Sequence, residues 1–395
     1  MALALVWLAI AFYGETEGQW FNSYLVNVAG GNDYYKAVMV STSALVGTVA
    51  FIFWGVISDN LRTARGRRVP ILVPGLVATA FFVWLFGRTT NLLALIVIDG
   101  FVIGFTSNMF HCASRALVPD LFPKQVRGRV NFLSQVCVTA GSVGTWVLAL
   151  SFLPEGGGQY SRWQYDVVWV LCAVLLVVAG AFSAVLIREP EVLETRRGTW
   201  NDVKLMFDRN EMAKHRDFLK LFVASLFVIM STNAYRPWML ELLQDLTFTT
   251  GEFLAQVAVA LAIFVPILWA YFHLVDRWGR KRMVLLALYL VPLSCLILAF
   301  SRYQISAVVT GIALMFSLTL GLNVALDTWT QDLLDPEARA KFLGIINVGK
   351  AAGQVPGVVL AAAVAEAFGD LTIFLVSAAF LLLAIPLFKR VPETL

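Results

Sequence analysis

Long apolar stretches separated by short polar loops dominate this chain of 395 residues. A helix of about twenty apolar residues is needed to cross a bilayer core of about 30 Å. Polar, glycine-rich and charged breaks leave twelve such stretches, which we number spans 1 to 12. Their predicted ranges are 2–28, 35–57, 69–87, 92–114, 129–152, 164–187, 218–240, 252–275, 283–301, 305–329, 342–365 and 371–388. The pattern predicts an all-α membrane protein with twelve transmembrane helices.

The composition excludes an ordinary soluble protein. Hydrophobic residues make up 59% of the chain, charged residues only 14%, and the mean hydropathy is +0.76, whereas a soluble domain is about 25% charged. The basic residues are scattered among the loops, which argues against a nucleic-acid partner. The four cysteines lie inside apolar runs, with no disulfide framework and no metal-ligand spacing. We therefore expect no metal or other cofactor, apart from a coupling ion.

An internal repeat divides the chain into two halves. A shift of 212 residues aligns two stretches without a gap, and the matched pairs are Asp120 with Asp332, Arg127 with Arg339, Arg129 with Lys341, Gln135 with Asn347, and Gly141 with Gly353. Repeats that run in the same direction imply a pseudo-twofold axis along the membrane normal. The sequence predicts an N-terminal six-helix bundle over 1–187, a cytoplasmic linker over 188–217 and a C-terminal six-helix bundle over 218–395.

The loops alternate in charge, which predicts how the chain lies in the membrane. Lys and Arg number 24 in the loops and tail on one side and four on the other, and basic residues are retained on the cytoplasmic side. Both termini are therefore predicted to be cytoplasmic, in the plasma membrane. Glu15, Glu17 and Gln19 interrupt the first apolar run, so we interpret it as span 1 rather than as a signal peptide.

The loop after span 2 carries a recognisable signature. It reads Gly55-Val-Ile-Ser-Asp59 followed by Arg62, Arg65, Arg67 and Arg68, and an acidic-basic loop reappears after span 8 from Asp276 to Arg282. In this the chain resembles the major facilitator superfamily. The resemblance implies the major facilitator fold and alternating-access transport, with spans 1, 4, 7 and 10 lining a central pathway. It also implies a small-molecule substrate and a monomer among membrane lipids.

A narrower resemblance points to a solute class. The stretch from Ser58 to Pro70, the pair Asn108-Met109 and the run from Arg115 to Arg129 are similar to the glycoside-pentoside-hexuronide cation symporters and the sucrose transporters. That similarity implies symport of a sugar or glycoside with protons or sodium. Where sucrose-type relatives carry an acid in span 4, this chain has Gly104, and its acid, Asp99, lies about 140° round the helix.

Ionisable and amide side chains inside spans are the candidates for binding the solute or the coupling ion, because a charge at the bilayer centre costs at least about 2.5–3.5 kcal/mol. In span 1 a helical stripe runs through Glu15, Gln19 and Asn22, with Glu17 on the other side. The resemblance assigns sugar hydroxyls to an acid of span 1, here Glu15; a structural ion pair is the alternative.

The remaining candidates of this kind lie in spans 4, 5 and 11. Asp99 is a candidate coupling acid, together with Glu15 and Asp327. Span 5 offers a possible hydrogen-bonding wall, and span 11 repeats it with a lysine about 14 Å from its cytoplasmic end. The residues are Asn131, Gln135, Asn347, Lys350 and Gln354. Contacts between helices are the alternative role for the amides.

Charged residues near the ends of the spans are the gating candidates. We expect those on the cytoplasmic side to form contacts that break in each transport cycle, with the positive-inside signal as the alternative reason for the arginines. Arg236, at the other end of span 7, is a candidate for an outer gate or for simple snorkelling. The set is Asp59, Arg62, Arg67, Arg68, Arg115, Arg236, Asp276, Arg280 and Asp327.

Two other functions compete with sugar symport. The 29 phenylalanines are consistent with an exporter or flippase of lipids or amphipathic drugs. A non-transporting receptor or assembly factor would keep the fold without a polar pathway. An intramembrane enzyme is disfavoured, because no nucleophile-base or metal spacing occurs within a span.

Overall fold

The computed structural model describes residues 2–123, 126–154, 158–189, 215–333 and 336–393. These residues are almost entirely helical. Nine spans are single α-helices. They are Asp33–Asn60 (span 2), Val69–Phe86 (span 3), Arg127–Phe152 (span 5), Arg162–Leu186 (span 6), Thr250–Trp278 (span 8), Arg280–Ala299 (span 9), Ile305–Asp332 (span 10), Pro336–Phe368 (span 11) and Ile373–Lys389 (span 12). The last of them follows a 3-10 turn at Asp370–Thr372.

Three spans change their helical type along their length. Span 1 consists of Ala2–Glu15, a π-helical segment Thr16–Phe21 and Asn22–Asn27. Span 4 consists of Leu92–Val97, a π-helical segment Ile98–Ile103 and Gly104–Leu121. Span 7 runs as Arg216–Tyr235, a 3-10 turn Arg236–Trp238 and Met239–Gln244. Single-turn π segments inside α-helices occur frequently at functional sites.

Helix caps and one glycine define several span boundaries. The Asn32 side chain accepts a hydrogen bond of 3.1 Å from the Tyr35 amide, and a capping box of Thr249 and Glu252 begins span 8. Such caps satisfy amides that have no partner inside the helix. Spans 8 and 9 are joined by Gly279 alone, whose φ of +93° favours glycine.

Eleven helical stretches of the described chain are long and apolar enough to cross a membrane, counted by length and composition. Span 1, which carries polar residues in its middle, is the remaining one. On span 6 the exposed side chains Val167, Val170, Val174, Val177 and Val185 lie along one side of the helix. A broad exposed apolar face of this kind suits contact with lipid rather than water.

The contacts divide the chain into two units. Unit 1 comprises Met1–Leu153 and Gln159–Asp202, and unit 2 comprises Pro154–Gly158 and Val203–Leu395. Most of the predicted linker lies outside the described residues, so its limits stay a prediction.

Each unit repeats the same helix packing. In unit 1 the closely packed pairs are spans 1 and 5, 3 and 6, 2 and 4, 3 and 4, and 1 and 6. In unit 2 they are spans 7 and 11, 9 and 12, 8 and 10, 9 and 10, and 7 and 12. Adding six to both span numbers of each pair in unit 1 gives the corresponding pair in unit 2. The internal repeat read from the sequence is therefore a repeat of packing.

Candidate functional site

The π segment of span 1 changes which side chains share a face. A π turn takes one residue more than an α turn, so the spacing that placed Glu15 in one stripe with Gln19 and Asn22 does not continue through Thr16–Phe21. Gln19 and Asn22 are buried, whereas Glu15 and Glu17 are half-buried. Glu17, which the sequence places on the other side of span 1 from that stripe, accepts a hydrogen bond of 3.1 Å at its Oε1 from Ser43 of span 2.

Asp99 lies on the other π segment, in span 4, and its side chain is buried with 1% exposure. Its Oδ1 atom accepts no hydrogen bond from the described part of the chain. Span 4 is pressed against span 2 here: a Cβ on Gly100 would lie 2.8 Å from Cγ2 of Thr42. The Asp99 carboxyl also lies close enough to Glu17 for their charges to interact. The two acids thus form a pair, one from each π segment.

Tyr13 completes this group from the preceding turns of span 1. Its ring is fully buried and meets the Phe110 ring edge-on, with the centroids 5.6 Å apart. Its hydroxyl lies beside Glu17 and Ser107 and within electrostatic reach of Asp99. No hydrogen bond of normal geometry to the Tyr13 hydroxyl occurs within the described residues. We call Tyr13, Glu17, Ser43, Asp99 and Ser107 the acid-pair site.

The other polar candidates of span 1 are buried and only partly hydrogen-bonded. The Asn22 amide donates a 2.9 Å hydrogen bond to the Gly18 carbonyl, one turn back. Neither Oε1 of Gln19 nor Oδ1 of Asn22 has a hydrogen-bond partner in the described chain. Buried acceptors of this kind are costly unless a ligand or water satisfies them.

The candidates of spans 5 and 11 are only partly accounted for. Gln135 is exposed and Gln354 is half-buried. The side chains of Asn131, Asn347 and Lys350 lie outside the described residues, and so does that of Asp276. Their predicted roles stay predictions. A cluster of three or more acids, histidines or cysteines suited to a metal ion does not occur among the residues described.

The arginines after span 2 form an ion-pair network within unit 1. Arg68 pairs with Asp59 at 2.5 Å and with Asp120 at 3.0 Å, and it donates to Ser58 at 2.8 Å. Arg67 pairs with Asp120 at 2.8 Å. Arg62 instead donates to the main-chain carbonyl of Asp59 at 2.8 Å. The structure thus joins several predicted gating residues to Asp120, at the end of span 4.

Glu189 is part of this network and was missed by the sequence analysis. Its carboxylate accepts hydrogen bonds from the backbone amides of Arg67, Arg68 and Val69 at 2.9, 2.8 and 2.7 Å. Span 3 begins at Val69-Pro70 without a side-chain cap of its own, so its first amides need an acceptor from elsewhere. The sequence signal that could have identified Glu189 is its position as an acid three residues beyond the end of span 6.

Unit 2 repeats the network in reduced form. Arg280 pairs with Asp332 at 3.3 Å, and these positions are Arg68 and Asp120 shifted by 212 residues. Glu393 accepts a hydrogen bond of 3.1 Å from the Lys281 amide at the start of span 9. Glu189 plays the same part for the amides at the start of span 3.

The structure also locates the three other gating candidates. The Arg115 guanidinium lies 5.7 Å from the centroid of the Phe51 ring. Arg236 begins the 3-10 turn of span 7, and Asp327 is exposed near the end of span 10. Their gating roles stay predictions.

A comparison with known families agrees with the helix packing. The family model described as Major Facilitator Superfamily matches residues 3–273 and 221–395. The chain belongs to the Major Facilitator Superfamily. Its predicted fold is thereby confirmed, and it is a membrane-embedded secondary transporter of this superfamily.

Three known proteins are similar to the chain. Multidrug resistance protein MdtG of Klebsiella pneumoniae (strain 342) is 23% identical over 367 residues, covering 88% of this chain and 81% of that protein. The multi-drug resistance efflux pump PmrA homolog of Lactococcus lactis subsp. lactis (strain IL1403) is 21% identical over 351 residues, covering 86% and 81%. A solved D-xylose-proton symporter aligns with a TM-score of 0.72 at 13% identity, covering 100% of this chain and 97% of that one. That last likeness shows the fold alone.

Proposed function

We propose that this major facilitator is a proton-coupled exporter of amphipathic organic compounds, in which Glu17 and Asp99 carry the coupling proton. The observation that carries the proposal is the acid pair itself. Two carboxyl groups from two different spans lie within electrostatic reach of each other in a largely apolar interior, and both lie on π segments. Intramembrane acids of this kind mark proton relays in pumps and transporters.

The physical reason is electrostatic. In a medium of low dielectric constant, two neighbouring negative charges repel strongly, and a proton placed on either acid relieves the repulsion. The proton affinity of the pair therefore depends on how closely the two spans approach. A change of conformation that moves span 1 relative to span 4 would take up or release a proton, which is what coupling requires.

The solute class is inferred from the relatives. Two proteins that match most of the chain have names that refer to multidrug resistance, and one of them is named as an efflux pump. Aromatic side chains also dominate the surroundings of span 1: Phe21 stacks on Phe86 at 4.1 Å, and Trp20 lies 4.9 Å from Tyr160. An amphipathic solute suits such a mixture of rings and a few polar groups.

Symport of a sugar or glycoside is the second candidate. It is favoured by the loop motifs from Ser58 to Pro70 and by the two buried acceptors, Oε1 of Gln19 and Oδ1 of Asn22. Sugar hydroxyls are donors that would satisfy both acceptors. Sodium is the alternative coupling ion for either solute.

The ion-pair networks fit a gating role in the same proposal. We place the Arg67–Arg68–Asp120 cluster and Arg280–Asp332 on the cytoplasmic side of the plasma membrane, with both termini, on the strength of the loop charges. Each network joins elements of one unit, so its gating role is to hold or release the helix ends of that unit as the transporter changes state. We expect the transporter to act as a monomer without a bound cofactor.

Purified full-length chain in phospholipid vesicles tests the proposal. With an acidic interior and an alkaline exterior, we expect ethidium, a cationic amphipathic dye, to accumulate inside, and a protonophore to abolish the accumulation. Accumulation of sucrose or another disaccharide under a reversed proton gradient, without ethidium movement, would favour the second candidate. Movement driven only by a sodium gradient would contradict proton coupling.

A further inference from the structure

The Tyr13 hydroxyl occupies an unusual position in unit 1. It is fully buried, and it has no hydrogen bond of normal geometry among the described residues. Leaving a buried hydroxyl without a partner costs about 1–3 kcal/mol. Phenylalanine in the same place would avoid that cost and keep the edge-on contact with Phe110. The hydroxyl therefore calls for an explanation other than packing.

The neighbours of this hydroxyl supply one. The Glu17 carboxyl lies on one side, with Asp99 within electrostatic reach, and the Ser107 side chain is the other polar neighbour. Ser107 is itself buried with 3% exposure. The tyrosine hydroxyl thus stands between the acid pair and the next polar group along span 4.

Span 4 continues this polar line toward its C-terminal end. Ser107 and His111 are separated by four residues and so share a helix face. The His111 ring centroid lies 6.4 Å from that of Tyr13, and Ser114 donates to the His111 carbonyl at 3.3 Å. Side chains able to donate and accept protons therefore follow one another from Asp99 to His111.

We propose that Tyr13 relays the coupling proton between the Glu17–Asp99 pair and Ser107, and that it is a positioning and proton-transfer residue rather than a solute ligand. The inference rests on the proposed function. In the direction of proton uptake, a hydronium ion that arrives from the acidic side donates a proton to Oγ of Ser107. The Ser107 hydroxyl passes its own proton to the Tyr13 oxygen, and Tyr13 passes its phenolic proton to the Glu17 carboxylate.

Each step of this relay breaks one O–H bond and forms another, so charge and atoms balance. Tyr13 and Ser107 end as neutral hydroxyls, Glu17 ends protonated, and the hydronium ion ends as water. The release of the proton follows the same path in reverse. The Tyr13 hydroxyl has Glu17 and Ser107 as its polar neighbours, so it can accept a proton from one and donate a proton to the other, which the relay requires.

The test separates net proton-coupled transport from solute exchange. Tyr13→Phe and Ser107→Ala each remove one hydroxyl of the relay, while Tyr271→Phe removes a buried hydroxyl in unit 2 as a matched control. Net ethidium accumulation driven by a proton gradient needs the proton to move in each cycle. Exchange of external labelled ethidium for internal ethidium at equal pH does not.

We expect both relay variants to lower the gradient-driven rate roughly tenfold or more, a fall typical of a lost proton-transfer group, with wild-type exchange and a thermal stability no lower than that of wild type. Tyr271→Phe should keep both rates. Unchanged gradient-driven rates in both relay variants would overturn the relay, and an equal loss of exchange would assign Tyr13 to solute binding or packing instead. Glu17→Gln tests the acid pair without the relay, so the relay can be wrong while the proposed function stands. Ethidium accumulation by the wild type that does not depend on the proton gradient would overturn both the relay and the proposed function.

Discussion

The Ser43 hydroxyl donates a hydrogen bond of 3.1 Å to Oε1 of Glu17, which ties span 2 to the π segment of span 1. The same stretch of span 2 packs against the π segment of span 4, which carries Asp99. Span 2 therefore contacts both π segments and helps to fix the positions of Glu17 and Asp99 relative to each other. A change in its position would alter their separation and with it the affinity of the pair for a proton.

Removal of the Ser43 hydroxyl tests this arrangement. In Ser43→Ala, Glu17 loses a hydrogen bond that favours its charged form, so the pair should bind the coupling proton more tightly. We expect the pH of half-maximal transport to rise, with the maximal rate little changed. The measurement is the rate of ethidium accumulation driven by a proton gradient of fixed size, recorded over a range of pH values; an unshifted profile would show that Ser43 does not act on Glu17.

The contact of span 5 with span 1 predicts opposite effects of alanine at two neighbouring glycines. A Cβ on Gly141 would collide with the Leu8 carbonyl oxygen, whereas a Cβ on Gly144 would lie 3.8 Å from the Phe12 ring. Gly141→Ala should lower the stability by about 1–3 kcal/mol, as overpacking does. Gly144→Ala should be neutral or raise stability by up to about 1 kcal/mol, since alanine is the better helix former. Thermal unfolding in detergent measures both; equal midpoints would contradict the close packing.

Glu189 should stabilise unit 1 through the first turn of span 3. Glu189→Gln keeps the shape but removes the charge that three amides address, so we expect a loss of about 1.5–3 kcal/mol, typical of hydrogen bonds to a charged group. Glu252→Gln, at the exposed cap of span 8, is the matched control and should lower the unfolding midpoint less. Equal effects of the two variants would mean that Glu189 is no more than a surface cap.

A pH dependence is expected at the loops of unit 2, where Asp245, Tyr303 and Asp370 line one small cavity. Burial, and then the charge of Asp370, raises the pKa of Asp245 above its ordinary value of 3.8. Because the folded state holds this proton more tightly than the unfolded chain, the stabilisation is complete below pH 3.8 and is lost as pH rises through the raised pKa.

Asp370→Asn should therefore raise the unfolding midpoint at neutral pH relative to wild type and change it little near pH 3.5. Midpoints measured across this range check the prediction. A variant that gains the same stability at both pH values would exclude the interaction between the two carboxyl groups.

The sequence predicted the fold well because membrane spans leave strong signals. Twelve apolar runs, the alternation of loop charge and the repeat at 212 residues each depend on residue type alone. The repeat also aligned Asp120 with Asp332, and the structure gives these two acids equivalent arginine partners, Arg68 and Arg280.

The candidate site was harder to predict, for two physical reasons. A π turn shifts the helical phase by one residue, and no residue type predicts where it occurs. The α-helical spacing therefore grouped Glu15 with Gln19 and Asn22 and did not predict that Glu17 lies within electrostatic reach of Asp99. Glu189 was missed because its amide partners are about 120 residues away in the chain. Asp99 was identified because an acid within an apolar run is recognisable from residue type alone, whatever the helical phase.

The central claim, that Glu17 and Asp99 carry the coupling proton, is tested most directly by proton-gradient-driven ethidium accumulation in vesicles containing Glu17→Gln, Asp99→Asn, Glu15→Gln or Glu366→Gln. Glu366 is an exposed acid of span 11 and serves as the control. We predict that Glu17→Gln and Asp99→Asn each reduce accumulation to the level of protein-free vesicles while exchange at equal pH continues, and that Glu366→Gln matches wild type. Accumulation that survives in both Glu17→Gln and Asp99→Asn, or that is lost only in Glu15→Gln, would contradict the account.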